Sequence, residues 1–302
     1  MAELTANWPE LLYPGLAGIW GDPSEYKRWA AEHGELVYVK KSKQALERTM
    51  GMTGFGLPAT TTEGEGTHYD DAFQGFAHNV THVYFTLGFV VSSIMYEDDL
   101  YNKINALPKA LRISFMELKE ILAANLYNRW STTGYTGADG VVLGSLLHPL
   151  RKAGGYLANV LSPAADLSMT SCEAIGLLVA NFVDDAGIKI HAKVTKLWCA
   201  EWNNWTAQTI LKTGHNPENP NRAYNPAQNS TKLVVSHYLT DVENWGVLTD
   251  VQETGRGLIY YERRAPVFTK DHDHDTDNAK FKGTMRASQS WDDPRAIAFG
   301  GV

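Results

Sequence analysis

Between Met95 and Trp130, apolar residues fall at Leu100, Ile104, Leu107, Leu111, Phe115, Leu118, Leu122 and Leu126. Steps of three and four throughout are the stripe of an amphipathic helix. Glu97, Asp98 and Asp99 open the run, where the helix dipole favours negative charge, and Arg129 stands in its last turn. At about 1.5 Å per residue such a helix is roughly 50 Å long, whereas helices of compact domains average about 11–12 residues. A rod of that length is a frame on which other elements are laid. Pro108 interrupts it: the ring lacks an N–H donor and predicts a kink or a split into two segments.

The 302 residues around this rod suffice for two domains, or for one with large extensions. Residues 1–37 read as an arm. Pro9, Pro14, Gly15, Gly18, Gly21 and Pro23 break every run, and Trp8, Tyr13, Trp20, Tyr26 and Trp29 are scattered between them. Only Ser24 to Glu32 has room for a short helix. Such a segment has little core of its own and lies on something else, its own body or a neighbour. Residues 38–92 read as two extended segments around a polar tip. Leu36 to Met52 leads out, and Val83, Phe85, Leu87, Phe89 and Val91 alternate on the way back. The tip, from Gly54 through Gly66, is a Gly/Thr/Glu stretch that cannot build a core. A hairpin this long projects and needs a partner surface; the alternative is a plain surface loop.

Beyond the rod, 156–265 reads as a second α/β unit. Thr170 and Glu173 have capping-box spacing for a helix closed by Gly187. A strand at Val194–Cys199, a helix at Glu201–Lys212 and strands at Lys232–Leu239, Trp245–Leu248 and Leu258–Glu262 follow. Residues 215–230 form a loop by composition. Pro266–Thr269 and Ala279–Ser290 are further strand-like runs.

Signs of chemistry are sparse. Asp271, Asp273 and Asp275 match the opening of a calcium loop, but Thr276 stands where Gly is required and Lys282 where Glu should chelate. A His/Asp metal site or a solvated connection between strands remains. There is no nucleophile elbow, phosphate loop or zinc-protease helix. Asp98/Asp99 and Asp184/Asp185 are sequence neighbours, which do not face each other on a helix. Cys172 and Cys199 give neither a disulfide framework nor a metal spacing and read as packed thiols in a reducing compartment. A net charge of −7 argues against a surface built to neutralise phosphates. The N-terminus lacks the basic start and apolar block of a signal peptide, and no apolar run reaches membrane-spanning length. No catalytic residue, cofactor or metal site is expected.

The order of short runs is more telling. Gln74-Gly-Phe76, Thr81-His-Val-Tyr84, Leu87-Gly-Phe89 and Met95-Tyr-Glu-Asp-Asp-Leu-Tyr101 are followed by Ala138-Asp-Gly-Val, His148-Pro-Leu150 and Trp205-Thr-Ala207. Val235-Ser-His-Tyr-Leu-Thr-Asp241, Tyr261-Glu-Arg-Arg264, Asp275-Thr-Asp-Asn-Ala-Lys-Phe-Lys282 and Ser290-Trp-Asp-Asp293 complete the series. Together they resemble the tailed-bacteriophage major capsid proteins of the HK97-like fold, from about residue 40 to the C-terminus.

The resemblance implies an α+β fold. Its parts are an N-terminal arm (1–37), an extended E-loop hairpin (38–92), a peripheral domain with a spine helix (93–155), an axial domain (156–265) and C-terminal strands returning to the peripheral domain (266–302). It implies a head protein that assembles as hexamers and pentamers into an icosahedral shell around double-stranded DNA. An encapsulin-like compartment shell is the alternative. Implied partners are copies of the chain, a portal protein, a decoration or cement protein, and packaged DNA held non-specifically, with no membrane. The implied location is the virion, assembled in the host bacterial cytoplasm. No scaffold-like segment precedes Asn7, so the resemblance is to members that use a separate scaffolding protein. Some members lock the shell with isopeptide bonds from an E-loop lysine, but no lysine lies between Lys43 and Lys103. Candidate intersubunit residues are Phe55, Glu63, Glu65, Asp70 and Asp71 on the tip, and Arg112, Lys119 and Arg129 as receptors on a neighbour.

Overall fold

A computed structural model describes residues 8–21, 32–92, 94–95, 103–215, 223–273, 276 and 278–301. Along the chain run α1 (Trp8–Gly21), α2 (His33–Leu36), β1 (Tyr38–Lys41), β2 (Leu46–Met52), β3 (Gln74–Thr81) and β4 (Val83–Ser92). After them come α3 (Ala106–Asn128), β5 (His148–Pro149), β6 (Tyr156–Leu157), α4 (Met169–Ala180), β7 (Val194–Ala200) and α5 (Asn204–Lys212). The chain closes with β8 (Lys232–Ser236), β9 (Trp245–Thr249), β10 (Leu258–Asp273), β11 (Asn278–Trp291) and β12 (Ile297–Phe299).

The expected rod appears as α3, 23 residues long and thus roughly 35 Å. Its stripe is buried as the spacing predicts: Leu111, Phe115 and Tyr127 lie in the core, with Leu107, Leu118, Leu122 and Leu126 packed on it. Leu100 and the opening acids lie outside the described residues. Pro108 does not split α3. It sits in the first turn, where a backbone N–H has no partner within the helix. The change of geometry comes just upstream, where a 3₁₀ turn at Lys103–Asn105 gives way to α-helix.

α3 packs on a sheet of order β1-β10-β11-β4, in which β1 is parallel to β10 and the other pairs are antiparallel. This pairing revises the extended reading of 38–92. The well-alternating segment is β4, and it joins β11 rather than the outgoing strand. Phe85 and Phe89 pack on the α3-side core, which is what their alternation records. The hairpin itself is β2 with β3, Leu46 opposite Thr81 through Met52 opposite Gln74. β10 runs unbroken through Pro266, so the expected boundary at 265/266 falls inside one strand.

The expected arm contains a helix. α1 continues through Pro14 because packing outweighs propensity. Leu16 and Trp20 are buried. Trp20 stacks on Phe268 at 5.1 Å and meets Phe115 edge-on at 6.1 Å. This part of the arm therefore lies on its own body; residues 22–31, with the expected short helix, are outside the described set.

The second sheet, β12-β9-β7-β8, is covered on both faces. Trp198, Leu248, Ile297 and Phe299 point into the core that contains α3. Leu197, Cys199, Val247 and Ala298 point into a second core with Ile175 and Val179 of α4 and Ile210 of α5. Successive residues of β7, β9 and β12 thus serve opposite cores. The α4 cap differs from the expected pair. Ser168 caps, Ser171 closes the box, and the helix ends at Ala180, short of Gly187. The serines stand three apart as the motif demands, two residues before the Thr170/Glu173 pair with the same spacing.

Candidate functional site: an interaction surface

The hairpin is the least self-sufficient part of the molecule. Met50, Met52, Phe55, Leu57, Tyr69 and Phe73 are large apolar residues left exposed on it. At its root, Thr49 donates to Asp292 Oδ1 (2.8 Å), His78 Nδ1 meets Ser290 Oγ (3.0 Å) and His82 Nδ1 meets Ser288 Oγ (2.9 Å). Ser42 Oγ donates to Glu47 and faces the other His82 nitrogen. Polar rungs of this kind fasten the root across the end of β10 and β11, over a small apolar contact of Val80, Ile259 and Tyr261. Burial pushes the His82 pKa down and the Asp292 pKa up. Where β2 and β3 end, Gly75 passes Gly51 so closely that a Cβ at 75 would lie 2.8 Å from the Gly51 carbonyl carbon. Thr53 and Phe73 then exchange hydrogen bonds and close the ladder.

Beyond Thr53 the tip has no strand or helix. It is organised by two carboxylates. Glu65 accepts from the Thr62 amide (3.0 Å) and closes a turn around Gly64, whose φ of 92° suits glycine. Asp70 accepts from the Gly56 amide (2.6 Å) and from Lys152 Nζ (2.5 Å). Those donors hold the Asp70 carboxyl below its ordinary pKa, the Gly56 amide most strongly. Lys152 also donates to the carbonyls of Asp71 (2.9 Å) and Gly54 (3.3 Å) and lies about 6 Å from the Phe55 and Phe73 rings. Its neighbour Arg151 lies 5.2 Å from the Phe76 ring. The turn bearing both cations is itself fixed, since the amides of Lys152 and Ala153 donate to the Asp185 carbonyl. Arg295 in turn bonds the Asp185 carboxylate (2.8 Å).

Each expected contact residue now has a place. Phe55, Glu63, Glu65 and Asp71 lie exposed on the tip, while Asp70 is engaged by Lys152. The three receptors expected on a neighbour have partners within their own copy. Arg112 donates to the Trp20 carbonyl, Lys119 pairs with Glu262 at 2.5 Å, and Arg129 stacks on Tyr135 at 4.5 Å. Lys152 went unnoticed because nothing near it in the sequence links it to residues 54–71.

Between the hairpin root and the turns at 138–150, 184–190 and 292–295 lies a cleft of about 660 Å³, lined by Asp139, Asp184, Asp185, Asp292 and Arg295 among others. Its charges are largely committed. Asp139 pairs with His148 at 2.6 Å, and Arg295 bridges Asp185 and Asp293. Among the described residues no group of His, Cys, Asp and Glu is arranged to hold a metal ion; His274, Asp275 and Asp277 of the Asp/His loop are outside that set. Cys199 is buried, which pushes its thiol up to about 12, away from nucleophilic use. No described helix is long and apolar enough to cross a membrane.

No protein-family model matches this sequence, and no curated protein matches it. Solved structures do. A chain from Mycobacterium phage Patience superposes with a TM-score of 0.57 at 9% identity, covering 98% of this chain and 87% of that one. The capsid of Ralstonia phage GP4 gives 0.54 at 10% identity, with 87% and 86% covered. The capsid of an empty GTA particle gives 0.53 at 13%, with 89% and 88% covered. Coverage of nearly the whole of both chains at such low identity is a likeness of fold, and the fold of this chain is the HK97-like fold of phage capsid subunits.

Proposed function

We propose that this chain is the major capsid protein of a tailed bacteriophage, assembling as hexamers and pentamers into the shell that encloses double-stranded DNA. The observation that carries the reading is the hairpin. It is a long projection with exposed Phe55, Leu57 and Tyr69, held to its own body, among the described residues, at root and clasp, on a fold shared with capsid chains. Exposed apolar surface of this kind marks a contact with another chain, and many heterologous contacts between copies close a shell.

In this reading residues 1–37 are the arm, the hairpin within 38–92 is the E-loop, α3 is the spine, and the part of 156–265 that precedes β10 meets its copies around the capsomer axes. A separate scaffolding protein directs assembly in the host cytoplasm, a portal occupies one vertex, and a decoration protein is a further partner. The net charge of −7 suits a container that holds packaged DNA without gripping it. The phage and GTA capsids among the similar structures favour a virion shell over an encapsulin-like compartment.

Electron microscopy of the full chain, expressed with and without a scaffolding partner, tests the proposal. Shells, rings or capsomers are expected; a protein that stays monomeric under both conditions overturns it.

A further inference from the structure

We propose that Arg263, Arg264 and Arg286, gathered on the face of the β1-β10-β11-β4 sheet that lies away from α3, form a binding site for a polyphosphate anion. The site belongs to the single chain and does not depend on whether that chain builds a shell.

An irregularity in the strands brings the three together. β10 and β11 pair in step as far as Glu262 opposite Ala287, and the next pair is Arg264 opposite Arg286. β10 therefore carries one extra residue here, Arg263, in a β-bulge. The bulge breaks the alternation of side chains. Tyr261 faces the hairpin root beside Val80, and Glu262 turns the other way, to Lys119 of α3. Arg263 returns to the hairpin side, and Arg264, which alternation would send back toward α3, stays there with it. On that face Arg264 lies 5.4 Å over the Tyr84 ring and donates to Thr284 (2.9 Å). The effect of the bulge is to add a third cation to a facing pair.

Left alone, the arrangement is unfavourable. Like charges directly opposite on neighbouring strands repel, and arginine stays charged in proteins. Glu262 is committed to Lys119, and Glu47 accepts from Ser42. Among the described residues none of the three arginines has an ion pair, and the side-chain acceptor they reach is Thr284 Oγ1. Arg263 Nε is buried without any acceptor. Arg263 and Arg286 are half-buried and Arg264 is exposed, so the cluster is partly shielded from water yet open to a solute. Forks of N–H donors match phosphate oxygens and grip them two bonds at a time. Three forks side by side exceed what one phosphate group needs and suit a short chain of them. Lys282, exposed on the same face, extends the strip.

His82 reports on the site. Its ring meets Tyr261 edge-on at 6.4 Å, and its Nδ1 meets Ser288 Oγ. Burial pushes its pKa down most strongly; Glu47 pulls it up, the charges of Arg286 and Arg263 push it down, and a hydrogen bond to the Gln44 backbone pulls it up. An anion seated among the arginines cancels their push.

The full-length protein is titrated with tripolyphosphate and with inorganic phosphate at one ionic strength set by chloride, so that general screening is equal. Calorimetry is expected to show saturable binding of tripolyphosphate, tighter than inorganic phosphate by about tenfold or more. Arg263→Gln with Arg286→Gln is expected to keep the fold by circular dichroism and to weaken tripolyphosphate binding by about tenfold or more. Lys193→Gln with Lys212→Gln, which removes two cations elsewhere, should leave it unchanged. Followed by NMR of the imidazole, the His82 pKa should rise when tripolyphosphate is bound to the wild type. No saturable binding, equal binding by the arginine variant, an equal loss in the lysine variant, or a His82 titration that ignores the ligand overturns the proposal. The His82 measurement needs no substitution and decides the matter if the arginine variant does not fold.

Discussion

Replacing Gly283 by Ala tests how tightly α3 is seated on the first sheet. A methyl carbon at 283 would sit 3.0 Å from Phe115 Cζ, 3.1 Å from Cδ2 and closer still to Cε2. Carbon atoms rest at about 3.5–4.0 Å, so ring and strand must part by about 1 Å or more. The ring cannot simply withdraw. Phe115 is 2% exposed and is backed edge-on by Trp20, which is itself stacked on Phe268. Overpacking of this kind costs about 1–3 kcal/mol. With a shift of about 2–4 °C per kcal/mol for a chain of this size class, the melting temperature should fall by roughly 2–12 °C, read by calorimetry or circular dichroism. Phe115→Leu opens the site at its own cost, and adding Gly283→Ala to it should cost at least about 1 kcal/mol less than in the wild type. A Gly283→Ala variant that melts within a degree of the parent, or a double variant whose two effects simply add, would refute the claim of direct contact at this point.

Mature particles run on denaturing gels should give single chains, because no lysine lies between Lys43 and Lys103 to supply an amine from the hairpin; a covalent ladder refutes this. Lys152→Met should speed hydrogen exchange across residues 54–72 while leaving α3 unchanged, since Lys152 alone joins Asp70 to the Asp71 and Gly54 carbonyls; unchanged exchange would mean the clasp holds nothing. Burial raises the folded-state pKa of Asp292. Its contribution to stability is therefore fully present below about pH 3.9 and is lost as pH rises through the raised value. Asp292→Asn keeps an acceptor for Thr49, so relative to the parent it should melt higher at pH 7 than it does near pH 3.5; the opposite trend defeats the assignment.

What could be read from the sequence follows the range of the interactions involved. The α3 stripe was legible because its period repeats over more than twenty positions and a single core receives it. The alternation of β4 was legible too, but its partner was not, since the pattern shows which face is buried and says nothing of a strand near residue 285. α1 was hidden by Pro14, Gly15 and Gly18; what holds it is Leu16 and Trp20 against Phe268, contacts that propensity does not contain. At the hairpin, the lack of a core and the acidic tip were plain from composition. The clasp was not, because Lys152 meets Asp70 across 82 positions of chain. Arg112, Lys119 and Arg129 each have partners within their own copy that the sequence did not show, because Trp20, Glu262 and Tyr135 lie outside the helix that carries them or beyond its end.

The alternation in the second sheet has a mechanical consequence. Trp198 meets Tyr127 of α3 at 4.8 Å, while the next residue, Cys199, is sealed in the opposite core. The two cores thus share one interior wall, and tilting one against the other would tear rows of side chains on both sides of it. A chain built this way resists shear between its two cores, and a strain applied to it is expected to fall first on the hairpin, which is joined to the body by a few polar contacts at its root and by Lys152.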